Sequence, residues 1–145
     1  DIFGDMNEVK NTFWKAGKPG DYLKGILTAV REVNSQLPGH ENERVKVYEV
    51  EVIKGEYHNA DEKKNPVEPA VVLEEGSIIM LGGRKTIDDQ MRQIKLYQIF
   101  GVKFVEEKPS KKKGFAPMKV LRIFQGPMSE KIAIDDMEVA FKEAV

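Results

Sequence analysis

The sequence predicts a mainly β fold: a five-stranded, partly open Greek-key barrel with a short helix between the third and fourth strands. Three observations carry that expectation. Five runs rich in aromatic and β-branched residues are separated by Gly, Pro and polar clusters. The stretch between the third and fourth runs switches to helical spacing. Gly25 stands inside the long first run, marking a bulge or tight bend that lets one strand serve two halves of a curled sheet. At 145 residues the chain has the size of one domain with one core.

Residues 1–20 read as an irregular arm that carries Trp14, Lys15 and Lys18 and ends in the turn-forming Gly17, Pro19 and Gly20. The domain proper spans 21–125. Its first strand is Tyr22–Val33, closed by the polar NSQLPGHENE. Val45–His58 is the second, with Lys46, Tyr48, Val50 and Val52 on one face until the pattern breaks at Gly55; it pairs with the first as a hairpin. Residues 59–76, with two prolines and mixed charges, form a long excursion. Ser77–Leu81 is the third strand, ended by Gly82 and Gly83. The helix opens at Thr86, which forms a capping-box pattern with Asp89, and Ile87, Met91 and Ile94 recur on its inner side. Strand pattern returns as Val102–Glu107, then PSKKKGFAP supplies a loop, and Met118–Phe124 is the last strand. Residues 126–145 form an acidic tail that can be drawn as a helix with Ile134, Met137, Phe141 and Ala144 on one stripe.

Composition excludes several classes of function. With 41% hydrophobic and 32% charged residues, the chain can build a core, and it contains no run of the roughly 18–20 apolar residues that a spanning helix needs. No membrane partner is expected, and the interior of a cell, the cytoplasm, is the expected location. The absence of cysteine removes disulfides, thiolate metal sites and cysteine nucleophiles. His40 and His58, with Glu41, Glu43 or Asp61, make only a weak metal set. Asp88 and Asp89 are explained by the helix start, and neither Gly17–Gly20 nor Gly82–Lys85 has the spacing of a phosphate loop. No catalytic residue, metal or cofactor is assigned, and no enzyme is expected.

Charge points the other way from its average. The net charge is −1, yet residues 81–125 hold 11 basic and 4 acidic groups, between acidic flanks. Unpaired nucleic acid is held by aromatic faces that stack on bases together with cations that follow the phosphates. Both are present in or beside the strands. The candidate nucleic-acid-binding residues are Tyr48, Tyr57, Arg84, Lys85, Lys103, Lys111, Lys112, Lys113, Phe115, Lys119 and Arg122. Tyr57 is favoured as a stacking platform; Tyr48 divides evenly between platform and core, as Trp14 does between capping the barrel and touching DNA. Phe104 and Phe124 are read as core.

Over Asp21–Phe124 the chain resembles the OB-fold single-stranded DNA-binding proteins, in particular divergent phage-type ones. The likeness rests on GDYLKGILTAV, VKVYEVEV, EGSIIMLGG with the following KTIDDQMRQI, FGVKFVEE and MKVLRIF. It implies a non-catalytic protein that coats single-stranded DNA in replication or recombination. The binding face would be the second and third strands, with the loops joining strands one to two and four to five. The acidic tail would compete with DNA and present Met137 and Phe141 to replication or recombination proteins. A rival from another class is an OB-type scaffold that binds protein in assembly. Monomer and dimer both stay open.

Overall fold

The computed structural model describes residues 2, 4, 12–35, 37–109 and 117–129. Their elements are β1 (Tyr22–Asn34), β2 (Arg44–Ala60), β3 (Pro66–Val72), β4 (Ile78–Gly82), α1 (Lys85–Met91), β5 (Gln98–Lys108) and β6 (Met118–Met128). The chain is mainly β: one antiparallel, open six-stranded sheet with one short helix.

β1 is the hub. It pairs with β2 from Tyr22↔Glu56 to Asn34↔Arg44, and residues 22–26 also pair with β5. The bulge expected at Gly25 is present, as a register shift between Lys24 and Gly25. A Cβ at Gly25 would lie 2.6 Å from the Glu51 carbonyl oxygen, so the close approach of the two strands demands glycine there. The far edge of β2 is divided between two partners: Val47–Glu51 pairs with β4, and Glu56–Ala60 pairs with β3. β5 and β6 complete the order β3-β2-β1-β5-β6.

β3 corrects the sequence reading, which left 59–76 as an excursion without structure. Pro66, Pro69 and the mixed charges disguised a strand, but β3 is an edge strand, where a missing N–H and exposed side chains are tolerated. The helix is also displaced. Its N-cap is Arg84, without a side-chain cap bond, so the Thr86–Asp89 capping box does not form. β5 starts four residues earlier than expected and β6 extends past Phe124.

Alternation along the strands delivers Leu23 and Leu27, Tyr48, Val50 and Val52, Ile79 and Leu81, Phe100, Val102 and Phe104, and Leu121 to one core, which Ile87, Met91 and Ile94 cover from the helical side. Phe100 and Phe104 are fully buried, each contributing about 1.5–3 kcal/mol. Among the described residues β4 and β6 do not pair. Residues 12–16 lie there instead: Met80 donates its N–H to the Thr12 carbonyl and Trp14 donates to that of Met80, while Lys119 Nζ donates to the Ala16 carbonyl. Trp14 itself is buried, its indole N–H shared between the Tyr22 and Glu56 carbonyls at 3.2 and 3.1 Å. Trp14 thus belongs to the core cluster.

Candidate functional site

The sequence-predicted candidates do not form one cluster. Tyr57 is buried, which corrects its reading as a stacking platform, and Tyr48 is buried as well, in the core, one of the two uses left open for it. The Tyr48 hydroxyl donates to Asp88 Oδ1 at 2.6 Å. Burial, reinforced by that bond, holds its phenol protonated far above the ordinary tyrosine value. Tyr57 faces the core from the half of β2 that pairs with β3. The face of β2 that shares the core with β4 is therefore closed to a ligand. Arg84 and Lys85 are exposed at the start of α1, and Lys119 turns inward at the start of β6, its Nζ 5.7 Å from the Phe104 ring centroid. Lys111, Lys112, Lys113 and Phe115, like the tail from residue 130 on, lie outside the described residues.

Lys103 and Arg122 are brought together. They are direct partners across β5 and β6, both exposed on the outer face of the sheet. The same register places Tyr22 on the other side of Lys103, giving the row Tyr22–Lys103–Arg122 across β1, β5 and β6. One step along, the row is Lys24–Gly101–Phe124. A groove of about 660 Å³ opens on this face, lined by Tyr22, Lys24, Gly101, Lys103 and Phe124 and extended by Ile99. Among the described residues no Asp or Glu lines it, and Lys24, Lys103 and Arg122 form no ion pair with another of them. Glu56 stands opposite Tyr22 on β2, beyond the groove.

Phe124, read as core, is 55% exposed and forms one wall of the groove, which corrects that expectation. Its sequence held the signal: Arg122 and Phe124 are two apart in a strand and therefore share a face, as do Tyr22 with Lys24 and Gly101 with Lys103. The Phe104 reading as core agrees with its complete burial.

Chemically, the groove offers two ring faces, a bare backbone floor between them and a cationic rim. Among the described residues it holds no nucleophile with an adjacent base. His58 is committed elsewhere, its ring between Asp21 and Glu68. Among the described residues no group of three or more His, Asp or Glu could hold a metal ion, and no helix is long and apolar enough to cross a membrane. No protein-family model, curated protein or solved structure gives a significant match to the chain, so the geometry of this groove carries the functional reading by itself.

Proposed function

We propose that the chain is a non-catalytic single-stranded DNA-binding protein of replication or recombination, and that its sheet curls as an OB-type barrel with β3 added at one edge. The curl is supported by β1, which pairs on both sides across a bulge, by the helix between β4 and β5, and by the single core that gathers residues from five of the strands.

One observation carries the binding reading: Tyr22 and Phe124 stand diagonally across Gly101, with Lys24, Lys103 and Arg122 around them. Rings accept any base by stacking, and cations at the rim meet the phosphates that link successive bases. Gly101 fits the same use. A Cβ there would meet nothing closer than the Leu23 carbonyl oxygen at 3.6 Å, an ordinary contact, so the fold does not require glycine. A flat ligand lying on the strand backbone does.

The test is a titration of 3′-labelled, 5′-hydroxyl oligo-dT by fluorescence anisotropy over a salt series. Three phosphate contacts predict a log–log slope of about −2 on single strands. Absence of binding at about 50 mM salt, or a slope near zero, overturns the reading and favours a protein-binding scaffold.

A further inference from the structure

A second cavity, of about 300 Å³, opens between residues 13–17, the ends of β2 and β4, the start of α1 and the start of β6, and shares no lining residue with the groove. Its inner wall is apolar, built from Trp14, Leu81 and Ile87 among others. Its rim carries Lys15, Arg84 and Lys119, all exposed, and among the described residues no Asp or Glu lines it. The Lys15 and Arg84 side chains form no hydrogen bond or ion pair with another described residue. Lys119 is held in place by its bond to the Ala16 carbonyl, which uses one of the three donors of its ammonium and leaves two. The remaining titratable group of the lining, His58, has both ring nitrogens engaged by Asp21 and Glu68.

Three cations around one small cavity repel one another, and a chain of net charge −1 has no general excess of positive charge to explain them. We propose that this cavity is a seat for a phosphate monoester, the group found on a free nucleotide or at the end of a nucleic-acid strand. A monoester carries about −1.5 to −2 charges at neutral pH and three strong acceptor oxygens, matching three separate donors better than the single charge of an internal diester. Arg84 supplies a planar fork for two oxygens, Lys15 and Lys119 supply point charges, and the apolar wall takes the sugar or base. Residues 13–17 wall the cavity on the side between β4 and β6, so a ligand enters as an end and does not thread through.

Trp14 is the only tryptophan and lines this cavity, so its emission reports occupancy directly. The full chain is titrated with dTMP, with thymidine, and with 5′-phosphorylated and 5′-hydroxyl oligo-dT. A saturable Trp14 change with dTMP or with the 5′-phosphorylated strand, but not with the unphosphorylated counterpart, supports the seat. A response to dTMP alone identifies the free nucleotide as the source; a response to the phosphorylated strand identifies the strand end. The R84Q chain, which loses no side-chain hydrogen bond or ion pair within the described protein, should weaken that binding about tenfold with an unchanged melting curve, and R84Q/K119Q should abolish it. No Trp14 response up to about 10 mM dTMP and none to the phosphorylated strand, an equal response to thymidine, or full binding by R84Q/K119Q overturns the proposal.

Discussion

Gly101 sits in mid-strand, where glycine weakens a strand and nothing in its surroundings asks for one. Replacing it therefore separates folding from binding. Gly101→Val should leave the melting temperature unchanged or raise it, because a β-branched residue suits an open strand position, while oligo-dT affinity falls at least about tenfold as the side chain fills the groove floor. Thermal melts and anisotropy titrations on the same preparation check both halves. Phe124→Ala makes the complementary case: the ring is largely exposed, so stability should change by less than about 0.5 kcal/mol and binding should lose about 1–3 kcal/mol. Tyr48→Phe belongs to the core instead. It removes a short hydrogen bond to the Asp88 carboxylate, and urea denaturation should show a loss of about 1.5–3 kcal/mol. Phe104, Phe124 and Tyr48 show where residue-level reading succeeds and where it fails. Phe104 next to Lys103 separates correctly into buried and exposed by adjacency. Phe124 was misplaced because it was contrasted with Arg122, a residue on its own face. Tyr48 was undecidable from pattern, since its partner Asp88 is 40 residues away.

At the level of elements, β3 and the turn at residues 17–21 are fastened to β2 by one cluster. Asp21 is almost wholly buried, and its Oδ2 accepts the backbone N–H groups of Gly17, Lys18 and His58. His58 meets Asp21 at 2.7 Å through Nδ1 and Glu68 of β3 at 3.2 Å through Nε2, and Glu68 is also reached by Lys18 at 3.1 Å. A ring between two carboxylates donates from both nitrogens only when it is protonated. The bond to Asp21, helped by Glu68 and opposed by desolvation, raises the His58 value above 6.5; Lys18 and then His58 lower that of Glu68 below 4.5. Stability from His58 is thus complete below 6.5 and lost as pH rises through its raised value. Stability from Glu68 is complete above 4.5 and lost as pH falls through its lowered value. The urea midpoint should therefore be highest between those two ordinary values and decline on the alkaline side. His58→Gln should remove the alkaline decline; a variant that keeps it would show that another group is responsible. None of this was legible in the sequence, where His58 ended a strand and Glu68 lay in an apparent loop. Two prolines and flanking mixed charges conceal an edge strand, because an edge imposes neither a full hydrogen-bond ladder nor a buried face.

For the whole molecule, local pattern carried the mainly β character, the helix ahead of the penultimate strand and the bend at Gly25. It did not carry the placement of residues 12–16 beside β4, which depends on a pairing between segments more than 60 residues apart that no local periodicity encodes. The basic block 81–125 likewise folds into more than one place: Lys103 and Arg122 join Tyr22 and Lys24 on the outer face, whereas Arg84 and Lys119 ring the smaller cavity. Linear clustering of charge was a sound guide to sign and a poor guide to position. Chemical-shift perturbation of backbone amides by oligo-dT at low salt decides where an unpaired strand lies. Tyr22, Lys24, Gly101, Lys103 and Phe124 should shift together and saturate at one concentration, with β3 and the turn joining β1 to β2 unmoved. Shifts centred on β3 or on that turn, or no shifts at all, would contradict a strand seated on Gly101.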